Sequence, residues 1–196
     1  MGSKERILRM KEETRKNILE AALTIVQEEG WEKLSMRKIA DKIEYTAPII
    51  YEYFSNKNAL LEALTKKGFI CLDSELDKVQ HTFETPAEQL QAMWMKFWDF
   101  AFNNQRLYQV MYGVEMTCCM MKVKEAQGPY VRFMEVIKEL MKNQNPSNEE
   151  VKQKYFTFFS VIHGLISINL VGNGLTKETN DQILSDAING IIHSLN

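Results

Sequence analysis

An all-α chain is predicted, on three observations. Apolar residues recur at helical spacing through most of the 196 positions, and no stretch alternates polar and apolar as a half-buried strand would. Cap and stop residues divide the chain into helix-length segments, as Ser35, Thr85-Pro86 and Thr176 do at starts and Gly30 does at a stop. Two short helices around a tight turn then lie between Leu34 and Phe54. Together these describe an all-α fold with an N-terminal three-helix head containing a helix-turn-helix, residues 1–55. A larger C-terminal helical bundle, residues 56–196, follows, for roughly nine helices in total.

The first helix is expected from about Lys11 to Glu29, with Ile18, Leu19, Ala22, Leu23 and Val26 inward and Gly30 as its C-cap. Lys4, Arg6, Arg9 and Lys11, against Glu5 alone, read as a basic arm ahead of it. Ser35 caps the next helix, whose apolar face is Ile39, Ala40 and Ile43. Glu44-Tyr45-Thr46 makes the turn. Thr46 or Ala47 opens the following helix, and Pro48 falls in its first turn, where a missing N–H costs nothing. A long helix from about Asn56 to Gln80 joins head to body, with Leu60, Leu61, Leu64 and Ile70 on its inner face. Thr85-Pro86-x-Glu88 is a capping box for a helix that ends near Asn103-Asn104, and a short helix follows from Gln105 to Gly113. A long helix from about Glu115 to Lys142, kinked near Gly128-Pro129, comes next. The loop 143–147 leads through Ser147 and Glu150, another capping box, into a helix reaching Leu170. Thr176 caps the last helix, to Leu195.

A helix-turn-helix places its second helix in the DNA major groove. The run Ile39-Ala40, Tyr45-Thr46, Ile50-Tyr51-x-Tyr53-Phe54, Lys57, Leu60-Leu61 resembles the DNA-binding domain of the TetR family of bacterial transcriptional regulators. Ile18-Leu19, Ala21-Ala22, Val26, Glu29-Gly30 and Trp31 extend the resemblance over about the first third of the chain. Tyr45 stands where the family often has a small aliphatic residue and Pro48 where glycine is frequent, and both bear on which operator is read. Phe159 to Leu165 is similar to a His-Gly-Leu segment in a subgroup of the family's C-terminal domains.

The resemblance implies a ligand-responsive regulator, acting as a repressor in the family's commoner mode. It would bind a palindromic double-stranded DNA operator as a homodimer and be released by a small-molecule effector. Tyr51 and Lys57 match the family's phosphate contacts. Arg37 is placed to reach a base edge or a phosphate, and Thr46 a phosphate at the recognition-helix N-terminus. Ala47 and Ile49, with Tyr45 and Glu52, are the groove-facing residues, and their apolar contacts favour thymine methyls. In the body, Trp94, Trp98, Tyr112, Met116, Phe133 and His163 are the effector-pocket residues expected from an aromatic- and methionine-rich stretch. No dense positive cluster stands among them, which favours a hydrophobic or amphipathic effector. Phe158, Phe159, Ile162 and Ile166, with Ile183, Leu184, Ala187, Ile188 and Ile191, are expected to pair across a two-fold through the last two helices. The other reading is a helical protein–protein adaptor that keeps this shape without operator binding.

Composition bounds the rest. The formal net charge of −2 does not mark a nucleic-acid binder by its sum, and the distribution matters more. Cys71, Cys118 and Cys119 lack metal-ligand spacing, and the three histidines form no metal motif, so neither a metal nor a cofactor is expected. Vicinal Cys118 and Cys119 leave a redox role open. Ser160 and His163 lack an acid partner, so no enzyme is expected. No apolar run is expected to span a membrane, and no secretion signal is evident at the N-terminus, which points to the cytoplasm.

Overall fold

The computed structural model describes residues 2–113, 123–171 and 174–195. Nine α-helices occupy the described residues, and none of these residues is in a strand. They are α1 (Ser3–Glu29), α2 (Met36–Lys42), α3 (Ala47–Tyr53), α4 (Lys57–Gln80), α5 (Pro86–Asn103), α6 (Gln105–Tyr112), α7 (Gln127–Leu140), α8 (Asn148–Val171) and α9 (Lys177–His193). Compactness divides the chain into residues 1–68 with 106–123, and residues 69–105 with 124–196. The division falls inside α4, so this one unbroken helix belongs to both units.

The first unit has a core of Ile18, Ala22, Val26, Ile39, Ile50, Phe54, Leu60 and Leu64, joined by Val110 of α6. Thr65 Oγ1 donates to the Val110 carbonyl at 3.3 Å, and Trp31 Nε1 to Gln109 Oε1 at 3.3 Å. Gly68 lets α6 approach closely: a Cβ there would lie 2.3 Å from Met111 Sδ. In the second unit α5, α7, α8 and α9 form the bundle. Leu90, Met93, Trp94, Phe97, Phe100, Phe133, Ile137, Phe158, Ile162, Ile166, Leu184 and Ile188 are buried in it.

Caps set the helix starts as expected. Ser35 Oγ accepts the Lys38 N–H at 3.2 Å, and Thr176 Oγ1 the Thr179 N–H at 3.2 Å. Thr85/Glu88 and Ser147/Glu150 form reciprocal boxes, and the two Ser147 hydrogen bonds hold the Glu150 carboxyl below its ordinary range. Gly30 ends α1 with φ 87° and ψ 167°, a conformation open to glycine almost alone.

Four expectations are corrected. Helix α1 begins at Ser3 rather than near Lys11. Glu5 reaches back to the Gly2 N–H at 3.1 Å, and nothing between Ser3 and Glu29 breaks a helix, so the basic residues ride on helix instead of an arm. Gly128-Pro129 makes no kink within a helix from Glu115 to Lys142. Both lie in the first turn of α7, after a 3₁₀ turn at Lys124–Ala126, where Pro129 forfeits no bond. Residues 114–122, and with them Met116, Cys118 and Cys119, lie outside the described residues.

Helix α8 is long and apolar enough by length and composition to cross a membrane, contrary to expectation. No charge interrupts Tyr155 to Val171, and the polar residues there are uncharged. Phe158, Ile162, Leu165 and Ile166 nevertheless point into the bundle. This also corrects the assigned pairing face. Phe158, Ile162, Ile166, Leu184 and Ile188 are buried in their own chain, whereas Val161, Ile168 and Val171 of α8 and Ile183 of α9 are exposed.

The turn between α2 and α3 is a Schellman motif: Tyr45 N–H donates to the Ala40 carbonyl at 2.9 Å and Glu44 N–H to the Asp41 carbonyl at 3.4 Å. Glu44 therefore sits at φ 58°, the left-handed region that L side chains resist. Glu44→Gly relieves this strain at the cost of a looser unfolded chain, with an expected net gain of about 0.5 kcal/mol. A urea titration checks this: the midpoint should rise for Glu44→Gly and not for Glu44→Ala, and a fall for Glu44→Gly contradicts it.

Candidate functional site: a helix-turn-helix and an aromatic-lined body

The recognition helix is held from below and bare above. Ile50 and Phe54 of α3 are buried and Ala47 and Tyr53 half-buried, while Thr46, Pro48, Tyr51 and Glu52 are exposed and Ile49 is half-buried. Tyr51 is 51% exposed and Tyr45 42% exposed, so neither ring is used in the head's own core. Arg37 is exposed on α2. Thr46 is the N-cap of α3, but its hydroxyl makes no capping bond there.

Two side chains fix how α3 is presented. Arg15 of α1 donates from Nη1 to the Tyr53 carbonyl at 3.2 Å, and its guanidinium lies 4.3 Å from the Phe54 ring centroid. A cation at a helix C-terminus, laid over an aromatic face, favours that helix end twice. The sequence reading missed this role, since 38 positions separate the partners and no local pattern joins them. Lys57 Nζ donates to the Trp31 carbonyl at 3.2 Å and is half-buried. It thus ties the start of α4 to the turn after α1, in addition to any phosphate it meets.

Of the expected effector residues, Trp94, Phe133 and His163 lie in one aromatic cluster, and Trp98 lines a separate groove. Trp94 and Phe133 stack at 3.9 Å between centroids, with Phe158 at 5.5 Å and Tyr155 at 5.9 Å from Trp94. His163 joins the edge of this cluster, stacked 5.1 Å from Phe159, and burial holds its imidazole below its ordinary pKa. Burial, and after it the neighbouring Tyr130, raises the Tyr155 phenol well above its usual range. Trp98 faces another space, a groove of about 540 Å³ shared with Met95, Asp99, Phe102, Leu175, Lys177, Asn180 and Asp181. Tyr112 belongs to the first unit, 4.9 Å from Tyr108, and Met116 is outside the described residues.

Helices α4 and α7 are joined by a polar clamp. Arg132 Nε donates to Asp73 Oδ1 at 3.1 Å, and Nη1 to Asp77 Oδ1 at 2.7 Å and Gln80 Oε1 at 3.0 Å. Burial opposes the Arg132 charge, but the two carboxylates outweigh it and raise its pKa. A Cβ on Gly128 would meet Asp73 Cγ at 3.0 Å, so this glycine lets α7 come close to α4. No group of His, Cys, Asp and Glu that could hold a metal occurs among the described residues.

Comparison with known proteins agrees with this architecture. Residues 18–64 match the family model for bacterial regulatory proteins of the tetR family, and residues 90–190 match the tetracyclin repressor-like C-terminal domain. The chain is 32% identical over 81 residues to the HTH-type transcriptional repressor KstR of Mycobacterium tuberculosis, covering 41% of this chain and 37% of that protein. The aligned part thus spans under half the length of that relative. Among solved structures, a protein from Rhodococcus sp. RHA1 superposes with a TM-score of 0.74 at 18% identity, over 92% of this chain and 94% of that one. FadR from Bacillus subtilis in complex with stearoyl-CoA gives 0.67 at 18% identity, over 92% and 96%. With both halves matched in order, the chain belongs to the tetR family of bacterial regulatory proteins: it is a DNA-binding transcription regulator of the helix-turn-helix type, and not an enzyme.

Proposed function

We propose that the chain is a repressor that binds a palindromic operator as a homodimer and is released by a small apolar effector. The observation that carries this is the bare outer face of α3, where Tyr45, Thr46, Tyr51 and Glu52 are exposed around a buried Ile50 and Phe54. In this reading residues 1–55 act as the DNA-binding domain and residues 56–196 as the ligand-binding and dimerization domain, in the cytoplasm. Tyr51, Arg37, Thr46 and Lys57 meet phosphates, and Ala47 and Ile49 contribute to base preference.

Dimerization is supported by a stripe on α8. Thr157, Val161, Gly164, Ile168 and Val171 follow one another at alternating steps of four and three, the spacing of a helix–helix seam. Val171 is 89% exposed, and Cβ atoms built on Gly164 and on Gly190 of α9 meet nothing nearby, so a second copy can approach closely there. This stripe, rather than the buried Phe158–Ile166 face, is the proposed dimer contact. It also accounts for the uncharged length of α8 without a membrane.

For the switch, an effector seated in the body displaces α7 or α8, and the Arg132 clamp hands the movement to α4. The effector releases DNA only by binding the non-operator arrangement more tightly, since equal affinity shifts nothing.

Anisotropy titration of the DNA flanking the chain's own coding sequence tests the reading. Saturable binding that weakens steeply with salt is expected. Absence of binding at low salt would leave the adaptor as the better account. Tyr51→Phe should weaken binding to all DNA sequences by similar factors, whereas Ile49→Ala should change the ranking of operator variants. Lys57→Ala should shallow the slope of log K against log salt by about one unit and also lower the melting temperature, since the Trp31 carbonyl loses one of its two donors and keeps only the Leu34 N–H. Light scattering should give twice the chain mass, and Val161→Glu with Ile168→Glu should give monomers. A monomeric parent protein at micromolar concentration contradicts the dimer.

A further inference from the structure

Trp94 has an unusual defect for a core residue. Its side chain is completely buried, yet Nε1–H finds no acceptor among the described residues. A buried donor without a partner costs roughly 1–3 kcal/mol, and phenylalanine would fill much of the same space without that loss. Near-parallel Phe133 and Phe158, at interplanar angles of 23° and 17°, stack on the indole, but stacking leaves the N–H unsatisfied because it projects from the ring edge. Phe97 meets the indole at 76° with centroids 5.6 Å apart, which offers at most a weak N–H···π contact.

The rings that meet Trp94 are those of Phe97, Phe133, Tyr155 and Phe158. Phe97, Phe133 and Phe158 carry no polar atom on their rings, and burial raises the Tyr155 phenol and lowers the His163 imidazole, in each case disfavouring the charged form. A carboxylate brought among these rings would find the neutral Trp94 donor and would lose its hydration. An uncharged acceptor has far less hydration to lose. Trp94, Phe133 and Phe158 are closed off, whereas Tyr130, Tyr155, Phe159 and His163 beside them are only partly buried.

We propose that Trp94 Nε1 is the hydrogen-bond donor to an uncharged, mainly apolar ligand carrying a carbonyl or ether oxygen, admitted among α5, α7 and α8 past Tyr155 and Phe159. The inference rests on the effector reading above and names the ligand class for it. Rotation of either half-buried ring opens the way to the N–H edge, and the bound oxygen removes the unsatisfied donor. Ligand entry thereby parts α7 from its neighbours, the same helix that carries Arg132.

The test uses the full chain with three probes of similar size: benzophenone, the hydrocarbon diphenylmethane and the anion diphenylacetate. In protein with ¹⁵N-labelled indoles, the Trp94 Nε1–H resonance, assigned by its loss in Trp94→Phe, should move downfield with benzophenone and not with diphenylmethane. By calorimetry the parent protein should bind benzophenone about three- to tenfold more tightly than diphenylmethane. Trp94→Phe should bind the two alike, and diphenylacetate should bind more weakly than the ketone. The proposal is overturned by an unmoved resonance, by equal affinity for ketone and hydrocarbon in the parent, by a ketone preference that survives Trp94→Phe, by tighter binding of the anion, or by no binding of any probe. The parent affinities for the three probes need no folded variant. Operator binding, measured on the same protein without probes, reports separately on the repressor reading.

Discussion

Helix α4 carries the mechanical argument, because it is one unbroken element of 24 residues belonging to both compact units. Its first half is built into the head core through Leu60, Leu61 and Leu64. Its second half is held by Arg132, whose guanidinium reaches Asp73, Asp77 and Gln80 over successive turns of the helix. A planar cation with several fixed donors resists sliding along such a row better than apolar packing would, because each bond has its own direction. Gly128 matters for the same reason, since a side chain there would press on the Asp73 carboxylate.

The head shows a similar economy. Seven residues of α3 cannot hold a helix in water on their own. The Schellman turn before it, Ile50 and Phe54 beneath it and Arg15 at its C-terminal end supply what its length cannot. All three act from below or from the ends, which leaves the outer face free of structural duty. In the body the balance is reversed: aromatic packing dominates, and among the described residues Trp94 Nε1 is the one buried side-chain polar atom without a hydrogen-bond partner.

Local chemistry was legible in the sequence and long-range pairing was not. Ser35, Thr85 with Glu88, Ser147 with Glu150 and Thr176 all cap as read, because a cap involves residues three apart and little else. The start of α1 was misplaced because a charged stretch looks like a tail even where Lys4, Glu5, Arg6, Leu8, Arg9 and Met10 favour helix. Gly128-Pro129 was read as a kink because the same pair suits a kink and a first turn equally, and only the flanking 3₁₀ turn decides. Phe158, Ile162 and Ile166, expected at a dimer contact, are buried in their own chain, and this helix is apolar nearly all round. Periodicity then cannot tell the bundle side, Phe158–Ile162–Ile166, from the side of Val161, Ile168 and Val171. The Arg132 clamp spans 59 positions to Asp73 and left no local trace. Aromatic content marks a body rich in rings without saying which of them share a space: Trp94 and Phe133 stack, whereas Trp98 lines a separate groove.

The proposal that α4, held by Arg132, passes an effector's influence to the recognition helices of a dimer is open to direct measurement. Spin labels attached through Glu52→Cys, in a background with Cys71, Cys118 and Cys119 replaced by serine, report the head-to-head distance by double electron–electron resonance. With Arg132 intact the distance distribution should be narrow and compatible with recognition helices one helical turn of DNA apart, about 34–36 Å. With Arg132→Met it should broaden and operator affinity should fall. Superimposable distributions from the two proteins would contradict the account.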